Sequence, residues 1–223
     1  SSWSRAQLPS GLKFADRFII RYKQGIFDNW IWYSAVDMLS GADCILQLYA
    51  ESSNPLIGKA IVTAAEQQTK ELGLFPVVLS GDKPCLFLMS PFEDGNTLAK
   101  NLQKSPPEKV LLQWFVQILS GLQAAHGFGV ANFVFSAQSI WITKDGVAQL
   151  RLTDAKQTYS AESAQKDHRK AGIFLYWMLA NGKTLIGQDL SPLFPRQAQL
   201  VRQFLYVDFT SFKHLISVVK NYH

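Results

Sequence analysis

Between Leu111 and Lys156 the chain changes its hydrophobic period, and this limits the folds open to it. The stretch LLQWFVQILSGLQAAH puts Leu111, Phe115, Ile118, Leu122 and Ala125 on one stripe of a helix ending at His126. Gly129-Val130-Ala131 and Asn132-Phe133-Val134 follow. A strand-turn-strand pattern comes next: Ser139-Ile140-Trp141-Ile142, the turn Lys144-Asp145-Gly146, and Leu152-Thr153-Asp154. A long apolar helix running into a β-ribbon predicts a mixed α+β domain.

The rest of the chain fits that class. Phe18-Ile19-Ile20 and Trp30-Ile31-Trp32-Tyr33 read as strands with a turn over Gly25 to Asn29. Ala42 to Tyr49 reads as a further strand. Pro55 to Leu72 has helical spacing, with Ile57, Ile61, Ala65 and Leu72 on one face. Pro76 to Leu79 and Cys85 to Met89 are strand-like around the Gly81-Asp82 turn. Past Asp94-Gly95 the pattern is mostly helical: Thr97 to Gln103, then a helix opened by Ser105 as cap with Glu108 three residues on. Another helix is expected over Asp167 to Ala180, stopped by Asn181-Gly182, and a last one within Phe209 to Tyr222.

With 223 residues, 48% of them apolar, the chain can bury a core as a single domain. Only 17% are charged, which predicts that part of the surface is covered by a protein partner or by more of a longer polypeptide. The net charge of +5 is spread without a Lys/Arg block or interleaved aromatics, so nucleic acid is not the expected partner. Cys44 and Cys85 sit in apolar strand-like segments without metal-ligand spacing, and reduced cytoplasmic thiols are expected. The longest apolar run, Ile173 to Ala180, falls well short of the roughly 20 residues needed to span a bilayer. No signal-peptide pattern opens the sequence, and the Ser1-Ser2 start reads as the edge of an excised domain.

The order of these landmarks resembles the protein-kinase fold over roughly residues 15 to 182. The resemblance implies an α+β, kinase-like two-lobe architecture: a β-rich N-lobe over about 15–90, a hinge at 91–95, and a reduced, mainly helical C-lobe over 96–223. Leu86 to Gly95 is similar to the family's hinge, with Met89 as gatekeeper and the backbone of Ser90 and Phe92 facing an adenine ring. Gly25 to Ala35 is similar to the glycine loop but keeps only Gly25, and Phe27 and Trp30 put bulk where phosphate would lie. Gln47 stands at the phosphate-binding Lys position. Glu66 stands at the helix glutamate, expected to hydrogen-bond Gln47 in place of the family's ion pair. Lys23 and Lys59 are expected to be solvated.

Asn132-Phe133-Val134 occupies the family's H-R-D. Val134 cannot accept a proton, and Ser139 replaces the metal-binding Asn. Leu152-Thr153-Asp154-Ala155-Lys156 resembles L-x-D-F-G: strict spacing from Ser139 selects Leu152, while the local match selects Asp154. His126 matches a structural histidine, and Asp167 matches an aspartate that braces the catalytic-loop backbone. Only about a dozen residues separate Asp154 from Asp167, too few for an activation segment.

The resemblance therefore implies a pseudokinase with no catalytic residue. Gly25, Gln47, Glu66, Met89, Phe92 and Asp154 would outline a vestigial nucleotide cleft, with no metal site and no required cofactor. Losing the Lys, the catalytic Asp and the loop glycines together removes most of the charge that phosphoryl transfer depends on. A cytoplasmic protein-binding, scaffolding or regulatory module is expected. Degenerate modules of this kind occur in bacterial signalling and secretion, often as cytoplasmic parts of membrane-attached proteins. The alternative is an atypical ATP- and Mg-binding phosphotransferase or nucleotide sensor using Asp154 and Glu66, and a third reading is an unrelated α+β domain. Oligomeric state is left open.

Overall fold

The computed structural model describes residues 8–50, 54–68 and 73–222. Leu72 and the Ser1-Ser2 start lie outside the described residues. The fold is α+β. Its first half is a curled antiparallel sheet of β1 (Lys13–Phe14), β2 (Phe18–Phe27), β3 (Trp30–Asp37), β4 (Asp43–Tyr49), β5 (Leu79–Gly81) and β6 (Phe87–Pro91), in the order β1-β2-β3-β4-β6-β5. Helix α1 (Pro55–Gln67) is inserted between β4 and β5. Asn54 caps it by accepting from the Leu56 N–H at 3.0 Å, and Pro55 presets its first turn.

Side-chain alternation gives the sheet two different faces. Phe14, Phe18, Ile20, Tyr33, Leu46 and Leu48 fill the inside of the curl. Trp30, Trp32, Ile45, Tyr49 and Leu88 point the other way and join the main core with α1 and the later helices. Almost every residue of β4 is buried, because it packs on both sides. The β2–β3 turn is only Asp28-Asn29: Gly25 lies inside β2, which carries two register irregularities, so the five-residue turn expected over 25–29 is not formed. Asp28 takes φ +59, as an acidic turn residue can, and this tightens the hairpin.

The second half begins with β7 (Gly95–Thr97) and a short α2 (Leu98–Leu102), followed by the long α3 (Glu108–Gly127). Ser105 does not cap α3. It takes φ +50, and Pro107 is the residue at the cap position, because two prolines hold the approach extended. Strands β8 (Val130–Phe133), β9 (Trp141–Thr143), β10 (Ala148–Gln149) and β11 (Ala155–Thr158) form two small antiparallel sheets, β10-β9-β7 and β11-β8. Helix α3 holds the ribbon: Gln117 Oε1 accepts from the Ala148 N–H at 2.7 Å, and Trp114 Nε1 donates to Gly146 O at 3.0 Å.

Helix α4 (Ala161–Leu179) starts six residues before the expected Asp167. Ser160 and Ser163 cap it reciprocally, with Ser163 N to Ser160 Oγ at 3.0 Å and Ser160 N to Ser163 Oγ at 2.8 Å. Helices α5 (Pro195–Leu205) and α6 (Phe212–Lys220) close the core against α4 and α3. Segment 73–75 joins the two halves: Gly73 O accepts from Leu150 N at 2.7 Å, and Leu150 O accepts from Phe75 N at 2.8 Å. This approach needs two glycines, because a Cβ on Gly121 of α3 would lie 2.3 Å from Gly73 O. Among the described residues, no helix is long and apolar enough to cross a membrane.

Candidate functional site

The site lies between the outward face of the sheet and the β9–β10 ribbon. Across the β3–β4 pair, Trp32 stands opposite Gln47 and Trp30 opposite Tyr49. Gln47 is buried, and its Nε2 donates to Ser90 Oγ at 3.0 Å. Glu66 is exposed on α1, so the expected Gln47–Glu66 hydrogen bond is not formed and a neutral pair inside the sheet takes its place. Met89 pairs with Leu46 and packs inside the curl, on the face away from Gln47. Leu88 and Ser90 are the β6 residues on the Gln47 side. The one-residue difference follows from strand alternation, which no local motif reports. Phe92 projects outward, 59% exposed.

At the centre of the site is Arg151, which sequence reasoning missed. Its guanidinium carbon lies 4.0 Å from the Trp32 ring centroid, 4.2 Å from that of Phe75 and 5.6 Å from that of Trp141. Its Nε donates to Ser139 O at 2.5 Å. Among the described residues Nη1 has no hydrogen-bond partner, nor does the indole nitrogen of Trp32 or Trp141, so the cation is held mainly by ring faces. A desolvated guanidinium on an aromatic face gains about 2 kcal/mol or more. Burial pulls its pKa down, and Asp154 and Glu93 oppose that shift, so the group stays cationic at neutral pH. Phe27 packs on Trp32 with centroids 4.9 Å apart. Trp30 packs on Tyr49 beside α1, and the aromatic opposite Gln47 is Trp32. The sequence signal was a lone cation between apolar residues in Gln149-Leu150-Arg151-Leu152.

Below the cage, Ser139 Oγ donates to Asp154 Oδ2 at 2.7 Å, with both residues buried. Burial raises the Asp154 carboxyl to about 6, against the opposing effects of the Ser139 hydroxyl and the Arg151 charge. A 3-10 turn over Leu152–Asp154 absorbs the two extra residues, so Asp154 and not Leu152 faces Ser139. Lys156, two residues on, makes an ion pair with Asp28 and ties the β2–β3 turn to β11.

A second buried cluster supports the β8 turn. Asp167 is wholly buried on α4 and accepts from Asn132 N at 2.8 Å and Phe133 N at 2.7 Å, with His126 Nε2 at 2.7 Å from its Oδ2. Asn132 takes φ +57, which turns these two N–H groups toward one carboxylate. Lys170 on the same helix donates to Phe133 O at 3.0 Å and to Asn132 Oδ1. Val134 follows, 40% exposed. Thus Gln47 and Asp154 converge on the cage; Gly25 lies within β2 behind Phe27; Glu66, Met89 and Phe92 point elsewhere.

Ser139 and Asp154 are closed beneath Arg151, and Gln47 is spent on Ser90. Among the described residues, no group of three or more His, Cys, Asp or Glu side chains could hold a metal ion. No protein-family model matches the sequence, and no curated protein is significantly similar to it.

Proposed function

We propose that the chain is a kinase-like, two-lobe domain without catalytic activity, a pseudokinase acting as a protein-binding or regulatory module. The observation that carries the reading is the Arg151 guanidinium lodged between Trp32, Phe75 and Trp141, beside Gln47 at the phosphate-lysine position. In this reading the side chains of the cleft fill it, and ATP with Mg²⁺ does not fit. The brace from Asp167 to the β8 turn supports the scaffold half of the reading, since it shapes backbone without doing chemistry. The connection from Asp154 supports the inactive half: α4 begins at Ala161, closer than the expected dozen residues, and strand β11 uses most of the interval.

Thermal denaturation with increasing ATP and Mg²⁺ tests this. The expected result is no saturable shift in Tm. A saturable shift that Asp154→Ala abolishes would overturn it in favour of a nucleotide sensor, the reading that the close Ser139–Asp154 pair favours.

A further inference from the structure

The inactive-module reading leaves open what is bound, and a second surface bears on that. A groove of about 570 Å³ lies between the turn after β8, the outer face of α4 and Thr184-Leu185. Its volume is within the range of about 300–1,000 Å³ usual for ligand pockets. Its walls are apolar: Val134 and Phe135 on one side, Ile173, Phe174 and Trp177 on the other. Val134 and Ile173 are each 40% exposed. The base is preformed, since Phe174 stacks on Trp177 with centroids 5.7 Å apart and meets Phe135 at the same distance.

One end of the groove is cationic. Lys170 lines it, with its ammonium fixed by Phe133 O and Asn132 Oδ1. Lys166 lies one turn earlier on α4, and Lys156 on β11 has its pKa pulled down by burial first and by the Lys170 charge second. The nearby carboxylates are committed: Asp167 to His126 and the backbone, Asp28 to Lys156, and Glu162 to Lys166 at 3.7 Å. Lys170 has no ion-pair partner among the described residues. Along α4 the sequence Lys166, Lys170, Ile173, Trp177 thus runs from positive to apolar on one face.

We propose that this groove docks an extended or helical segment of a partner protein that carries an aromatic or large aliphatic anchor with acidic residues beside it. The anchor would enter between Val134, Ile173 and Trp177, and the carboxylates would meet Lys170. Anchors of this type dominate binding energy, while complementary charge sets specificity and speeds encounter. The net charge of +5 works in the same direction. The proposal rests on the reading of the chain as a binding module, but it does not depend on whether the cleft excludes nucleotide.

The test is fluorescence anisotropy with a labelled synthetic peptide holding one central Phe flanked by Asp and Glu. Two control peptides replace the acids by Lys or the Phe by Ser. Saturable binding of the acidic aromatic peptide is expected, weakened about tenfold or more in either control and in Ile173→Asp, and weakened by added salt. Val134→Asp, on a different element, should give the same loss, with circular dichroism showing both variants folded. Failure to bind, equal binding of the Lys peptide, or no effect of either variant overturns the proposal. So does a dimer in sedimentation that Ile173→Asp separates, because the groove's occupant would then be a second copy. A nucleotide-induced Tm shift would count against the closed cleft alone, and a failed peptide titration against the groove alone.

Discussion

Ser139 and Asp154 meet at 2.7 Å across 15 residues of sequence, closed beneath the Arg151 guanidinium. The contact ties the start of the β9 segment to the end of the 3-10 turn, and it places a carboxylate in a nearly dry setting.

That setting predicts an unusual pH dependence. Burial raises the folded-state pKa of Asp154 to about 6, above the roughly 3.9 of the unfolded chain. The folded state therefore holds this proton more tightly, so the associated stability is fully present below about pH 4 and is lost as pH rises through about 6. At neutral pH the buried carboxylate costs roughly 2–3 kcal/mol relative to its acid form. Asp154→Asn keeps the shape without the charge. In urea unfolding it should exceed the wild type by up to that amount at about pH 7.5, and the advantage should vanish near pH 4. A variant weaker than wild type by the same amount at both pH values contradicts the assigned burial cost.

Arg151→Lys tests the cage. An ammonium cannot lie flat between Trp32 and Phe75, and it loses the planar stacking that holds the guanidinium. The expected loss is about 1–3 kcal/mol by chemical denaturation, with a change in near-UV dichroism from Trp32 and Trp141. An unchanged spectrum and midpoint would show that the stacking contributes nothing.

Asp167→Asn should destabilise by about 2–4 kcal/mol, because one amide oxygen cannot replace a carboxylate that accepts from Asn132 N and Phe133 N and contacts His126. Hydrogen exchange should speed up first at the Asn132 and Phe133 amides. If those amides keep their protection, the brace is not what holds the β8 turn.

Gly121→Ala should cost about 1–3 kcal/mol or more, since its Cβ would stand 2.3 Å from Gly73 O and force α3 away from segment 73–75. A surface control such as Gly127→Ala, where an added Cβ meets nothing within 4 Å, should cost little by the same denaturation measurement.

Much of the local structure was legible in the sequence. The stripe Leu111, Phe115, Ile118, Leu122 and Ala125 lies on α3, and four of the five, Phe115 onward, are less than 1% exposed. The Gly146 turn separates β9 from β10, and Asn181-Gly182 follows α4. Errors occurred where neighbouring residues carried competing signals. Ser105 before two prolines looked like a cap, while the Ser160–Ser163 pair that does cap a helix stood apart from any apolar run.

The candidate site was legible only in part, and the reason is physical. Hydrophobic period and turn chemistry act over a few residues, so composition and spacing alone determined an α+β chain with a long core helix and a ribbon. Which face a side chain occupies depends on strand register set from outside the segment. That register carried Met89 into the curl and set Trp32 opposite Gln47. The cage joins Trp32, Phe75, Trp141 and Arg151 from four separate segments. Only tertiary packing could bring a buried cation to those rings, because the aromatic faces and the nearby carboxylates that offset its desolvation exist together only in the folded protein.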